Sequence, residues 1–138
     1  KGIYNSTCEY WFETDSNSKI GLWLMDESVA DTYEWAYYNT ALTSYKGQWL
    51  HVCTTYDGRG GTSANAGIKL YLDGSAVTTT LAGGGTYVAM ENLGADLHIG
   101  RYNTYYSKGL IDEFRIYQKE LSASEVLKNY NNGKSAHQ

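Results

Sequence analysis

Gly47-Gln48-Trp49-Leu50-His51-Val52-Cys53-Thr54-Thr55-Tyr56-Asp57-Gly58 decides how this chain folds. A tryptophan opens the run, aromatic and β-branched residues fill it, and Asp-Gly closes it, which is how a strand running into a tight turn reads. Ile68-Lys69-Leu70-Tyr71-Leu72-Asp73-Gly74 repeats the form and also ends in Asp-Gly. Further on come Leu97-His98-Ile99-Gly100-Arg101 and Gly109-Leu110-Ile111-Asp112-Glu113-Phe114-Arg115-Ile116-Tyr117.

Working outward, strand-like runs cover Ser6–Glu13, Lys19–Met25, Trp35–Asn39, Gln48–Tyr56, Ile68–Leu72, Ala76–Thr80, Ala95–Gly100 and Leu110–Gln118. Cys8, Tyr10 and Phe12 alternate, as do Ile20, Leu22 and Leu24, so each set shares one face of a strand and is assigned to the core. The polar turn Thr14–Ser18 joins these two runs into a hairpin. The stretch Gly58–Gly67 is small, polar and glycine-rich, and reads as a mobile loop; it lacks the Gly-Lys-Ser/Thr ending of a phosphate loop. Leu81–Thr86 reads as a second flexible connection. One helix is expected near the end. Ser122-Ala123-Ser124-Glu125 is a capping box, Leu121 and Val126 flank it, and Asn131-Asn132-Gly133 closes the helix. Short strands at turn-rich spacing make an antiparallel sandwich, so the fold class is all-β with one short C-terminal helix.

The 138 residues form one domain, with 14% aromatic residues, 15 glycines and no proline, so the turns rest on Gly, Asn, Asp and Ser. The net charge of −4 comes without a basic block, which argues against nucleic acid. No apolar run approaches a membrane span. Cys8 and Cys53 lie in separate expected strands and are read as two small thiols or one disulfide. No Cys-x-x-Cys pair points to zinc.

In order and spacing the segments above resemble the laminin-G-like or pentraxin-like jelly roll of the concanavalin A-like lectin/glucanase superfamily. The family pattern runs W-x-H-V-A-x-T-Y-D-G, then L-Y-L-D-G, then I-G, then G-x-I-D-E-h-R-I-Y with h apolar; Cys53 stands at the usual small residue. The resemblance implies an antiparallel jelly-roll β-sandwich over residues 1–138. It also implies that the chain lacks the family's first strands. From this follows the expectation of a homo-oligomer or a strand-donating partner chain, since an open sheet edge favours association. Many relatives carry a structural calcium, and the resemblance transfers one ligand, Asp112. The acidic run Asp26–Asp31 reads as a solvated loop, with a calcium-dependent loop site as the alternative.

Catalytic patterns fail. Relatives that hydrolyse β-glucans carry E-x-D-x-x-E on a strand, since a retaining glycosidase needs two facing carboxylates. Here Glu13-Thr14-Asp15-Ser16-Asn17-Ser18 has serine at the last position. Asp112 and Glu113 are adjacent and would point to opposite faces. His51 and His98 read as structural, and the His51–Cys53 pair has no supporting nucleophile motif. The expectation is therefore no enzyme.

Sugars present an apolar C–H face and polar edges, which aromatic platforms beside Asn, Asp or Gln match. Two segments offer this, taken as loop-borne: Tyr33–Asn39, with Trp35 and Tyr37, and Arg101–Lys108, with Arg101, Tyr102, Asn103, Tyr105 and Tyr106. The second is favoured because it lacks a core alternation. The expected function is a carbohydrate-recognition module, binding a glycan or polysaccharide, on a larger extracellular or virion-surface protein. The alternative is a structural or adhesion domain acting through protein contacts, as in phage or bacterial surface assemblies.

Overall fold

The computed structural model describes residues 1–2, 7–29 and 32–137. Ser6, at the start of the first expected strand, and Ala30 and Asp31, at the end of the acidic run, lie outside the described residues.

Asp15 turns the first hairpin. Its Oδ1 accepts from the amides of Asn17 (2.9 Å) and Lys19 (2.8 Å), and Ser18 takes the left-handed conformation at φ 61°. The hairpin joins β1 (Tyr10–Thr14) to β2 (Ile20–Asp26) with Tyr10 opposite Leu24 and Phe12 opposite Leu22. β3 (Thr32–Tyr38) adds on the far side of β2, pairing Leu22 with Ala36 and Trp23 with Trp35. Period-two alternation then sorts the side chains. Leu22, Leu24 and Ala36 fall on one face, and Trp11, Trp23 and Trp35 on the other.

The second sheet is β4 (Val52–Tyr56), β5 (Ile68–Leu72) and β6 (Ser75–Ala76). Asp73 (φ 47°) and Gly74 (φ 77°) make the two-residue turn expected of Asp-Gly. β4 starts later than the sequence suggests, at Val52, and residues 48–51 lead into it. The Gly58–Gly67 stretch is held in place, against the expectation of a mobile loop. The Gly61 amide donates to the Val88 carbonyl (2.8 Å), Asn65 Nδ2 donates to the Ala82 carbonyl (3.0 Å), and Ala64 is buried.

The expected strand Ala76–Thr80 is split, because the chain changes sheets there. Val77 N–H still donates to Leu70 of the second sheet, whereas β7 (Thr79–Gly84) pairs with β3 of the first. The expected flexible stretch Leu81–Thr86 is thus mostly strand. Its glycines answer a packing demand: a Cβ on Gly83 would sit 2.4 Å from Glu34 Oε1. The sheet orders are β1-β2-β3-β7 and β4-β5-β6.

The two inner faces meet in the core. Leu22, Leu24 and Ala36 pack with Ala64, Ile68 and Tyr87, while Ile20 packs with Leu70 and Leu72. Each fully buried aliphatic side chain contributes about 1.5–3 kcal/mol. Phe12 departs from its core assignment: it lies on edge strand β1, outside both clusters, at 38% exposure. α1 (Ala123–Lys134) covers the outer face of the second sheet, seating Val126, with Leu121, against Tyr71 and Cys53. Its capping box forms as read, but the helix passes through Gly133 rather than stopping at Asn131–Gly133. Gly133 is buried, with the Glu113 carboxylate lying against it.

Two expected strands do not form. Ala95–Gly100 and Leu110–Gln118 have strand composition but enter no ladder among the described residues, and the nearest pairing is the short ribbon of β8 (Arg101–Tyr102) and β9 (Tyr105–Tyr106). A strand is a paired object, and composition does not supply the neighbour. The architecture is otherwise the expected one: antiparallel sheets packed face to face, with one short helix near the C-terminus.

Candidate functional site

The outer face of the first sheet carries a row of aromatic rings. Trp23 stacks on Trp35 across β2 and β3, with centroids 4.1 Å apart and planes 15° apart. Trp35 stacks in turn on Tyr37 (4.7 Å). Trp11, one strand over, meets Trp23 edge-on at 6.3 Å, and Tyr33 leans on Trp23 at 5.3 Å. Cross-strand aromatic pairs of this kind stabilise a sheet by about 0.5–1.5 kcal/mol each. All five rings are half-buried.

The row continues off the sheet. Tyr102 packs edge-on against Trp11 at 4.9 Å, and Tyr105 lies nearly parallel to Tyr102, 10° apart at 6.5 Å. The ribbon register explains this: Tyr102 faces Tyr105, and Arg101 faces Tyr106. The aromatic cluster expected at 101–106 is therefore two-sided. Tyr102 and Tyr105 join the tryptophan row. Arg101 and Tyr106 form a separate pair, with the guanidinium 5.9 Å from the ring centroid. Asn103, at φ 50°, tops the turn, and its carbonyl accepts from Arg101 Nε (2.8 Å).

Trp35 and Tyr37 lie in β3, not in a loop. They join Tyr102 and Tyr105 through Trp23 and Trp11, which the sequence reading passed over. Their signal was present: Tyr33, Trp35 and Tyr37 recur at every second residue, as do Trp11 and Glu13, on the face opposite the aliphatic one.

Ring orientation decides what the face can bind. Trp23, Trp35 and Tyr37 each turn a ring face to a stacked neighbour. Lys19 Nζ sits 5.1 Å from the Tyr37 ring. The open faces belong to Tyr105, 72% exposed, and Tyr106. Polar groups rim the row at the Tyr37 end, where Glu13 shares the outer face. Burial, with Asp15 beside it, raises the Glu13 carboxyl above its ordinary pKa. Asp15 itself is engaged by the turn amides, so no facing pair of carboxylates forms there.

The remaining candidates sit elsewhere. His51 N–H donates to Asp73 Oδ1 (3.1 Å), its ring lies 5.7 Å from that of Tyr130, and burial lowers its pKa. Burial raises the Cys53 thiol, the reverse of what a nucleophile needs. Cys8 and Cys53 are free thiols. Asp26 is no solvated loop residue: its carboxylate is buried and accepts from Ser28 Oγ (2.6 Å) and the Val88 amide (3.0 Å).

Asp112 is exposed. Its Oδ1 accepts from the Glu113 amide (2.7 Å), and its Oδ2 lies 3.8 Å from His137 Nε2. Calcium takes six to eight oxygens. Among the described residues no group of three or more His, Cys, Asp or Glu is placed to hold a metal ion.

A laminin-G-like family profile, described as the concanavalin A-like lectin/glucanases superfamily, matches residues 2–127, and the chain belongs to that superfamily. No curated protein and no solved structure matches the chain.

Proposed function

We propose that this superfamily member is a non-catalytic carbohydrate-recognition module of a larger extracellular or virion-surface protein. The supporting observation is the continuous aromatic row from Tyr37 through Trp35, Trp23 and Trp11 to Tyr102 and Tyr105. The row braces the sheet, and it ends in exposed aromatic surface at Tyr105, which is the kind of surface that marks an interaction site. Tyr105 offers an open ring for the C–H face of a sugar, and the tryptophans behind Tyr102 fix its position. Glu13 and Lys19 supply polar partners for hydroxyls at the other end.

The test is a glycan array, run in millimolar calcium and again in EDTA, with wild type and Tyr105→Ala. Binding to one glycan class that Tyr105→Ala abolishes supports the reading. Loss of that binding in EDTA would show that it needs a divalent cation. A blank array from folded protein overturns it.

A second reading, a structural or adhesion domain acting through protein contacts, is favoured by one observation: the apolar side chains of residues 110–117 stand in solvent.

A further inference from the structure

We infer that residues 110–117 form the interface of a two-fold dimer of this chain, by antiparallel pairing of the segment with its own copy. The inference rests on the second reading above and is independent of glycan binding.

The segment Leu110-Ile111-Asp112-Glu113-Phe114-Arg115-Ile116-Tyr117 has the composition of a strand but lacks the surroundings of one. Among the described residues, no amide or carbonyl of 110–118 enters a backbone–backbone hydrogen bond. Its large apolar side chains are open, Leu110 at 82% and Phe114 at 50% exposure. Exposed Leu110, Ile111, Phe114, Ile116 and Tyr117 within one short segment mark an interaction surface, and backbone groups that enter no ladder, the Glu113 amide turning only to Asp112 Oδ1, fit an extended strand as occupant. One flank leans on α1, where Asn129 Nδ2 donates to Tyr117 Oη (3.1 Å) and Glu113 lies against Gly133.

Charge identifies the occupant as a second copy. In an antiparallel pairing centred on Phe114, Phe114 meets its own symmetry mate. Glu113 of each copy then faces Arg115 of the other, and the contact occurs twice. Ile111 faces Tyr117, again twice. Opposite charges directly across a ladder stabilise it and like charges destabilise it. Glu113 and Arg115 already reach one another within the chain at 3.3 Å, so the side chains are long enough and share a side. Glu113 now sits at φ 50°, a left-handed conformation unfavourable for a residue with a Cβ. Extending it into a ladder relieves that strain. A perpendicular two-fold keeps equivalent faces together and closes the assembly at two copies.

The test is sedimentation equilibrium of the whole chain from low to high micromolar concentration. Wild type is expected to show a monomer–dimer equilibrium. Arg115→Glu, which sets four carboxylates together, should weaken it by roughly tenfold or more. The double swap Glu113→Arg with Arg115→Glu should restore it, because only a self-complementary contact is rebuilt by exchanging both partners. Phe114→Cys should cross-link to itself under mild oxidation, and Ser107→Cys should not. Circular dichroism checks that each variant is folded, and glycan binding by Arg115→Glu should be unchanged. A wild type monomeric at every concentration overturns the inference. So does a double swap that remains as weak as Arg115→Glu.

Discussion

Trp23 and Trp35 stand opposite one another in the β2–β3 register and stack with their planes 15° apart. The contact links the sheet to its surface. It braces two strands, and it spaces the rings that flank them on either side.

Trp35→Ala and Tyr105→Ala should therefore behave differently. Trp35 stacks on both Trp23 and Tyr37, so its removal should cost about 2 kcal/mol and lower Tm by several degrees. Tyr105 is largely exposed, and its removal should leave Tm nearly unchanged while weakening glycan binding. Thermal melts beside a binding isotherm separate the two. An unfolded Tyr105→Ala would place that ring in the core and remove it from the site.

Glu34→Gln should stabilise the protein at neutral pH. Glu34 is buried on the core face of β3 and its Oε2 lacks a hydrogen-bond partner. Burial raises its pKa above the ordinary glutamate value, outweighing the hydrogen bond from the Asn65 amide. The folded state therefore binds the proton more tightly than the unfolded one. The cost of ionising Glu34 is absent below about pH 4 and grows as pH rises toward the folded pKa. Urea melts should show the variant about 1 kcal/mol more stable at pH 7, with the gap closing near pH 4. Asp26 works in the opposite sense. Burial raises its pKa, but hydrogen bonds from Ser28, Val88 and Ala89 bring it below the ordinary value. Its contribution, present above about pH 4, is lost on further acidification. That loss is common to both proteins and cancels in the comparison. A gap that widens on acidification would contradict the assignment.

Ser122→Ala should cost about 1 kcal/mol and leave binding intact. The serine hydroxyl accepts from the Glu125 amide while the Glu125 carboxylate accepts from the Ser122 amide, closing the box. Lys119, then Ser122, hold the Glu125 carboxyl down to about 2. The helix covers the second sheet, on the far side of the sandwich from the aromatic row. A change in glycan affinity without loss of stability would contradict that separation.

Thiol titration should find both cysteines unreactive in the native protein at pH 8 and two free thiols in denaturant. Burial pushes the Cys8 thiol up to about 12 and raises that of Cys53, which starves both of the reactive thiolate. Finding no titratable thiol after unfolding would mean a disulfide instead.

The hairpin of β1 and β2 was readable because aliphatic alternation and an Asp-led turn are both local signals. The helix start was readable for the same reason, as Ser122 and Glu125 are three residues apart. The aromatic row was only half readable. Following Ile20, Leu22 and Leu24 finds the core face, and Trp11 and Trp23 are then assigned to solvent by default. That Tyr102 reaches Trp11 depends on a contact across 91 positions that no local pattern carries. β7 was missed because its glycines look like a loop, although they are small to make room for Glu34 and Tyr33. Leu110–Gln118 was over-read, because its composition describes a strand whatever the availability of a neighbour.

Gly83 and Glu34 also carry a consequence for how this sequence can drift. The carboxylate occupies the volume that a methyl group at position 83 would need. Neither residue can change size freely while the other stays. A lineage that acquires alanine at 83 should carry a shorter side chain at 34, and one that loses the acid frees the glycine. Among related sequences the two positions should therefore vary together, although 49 residues separate them.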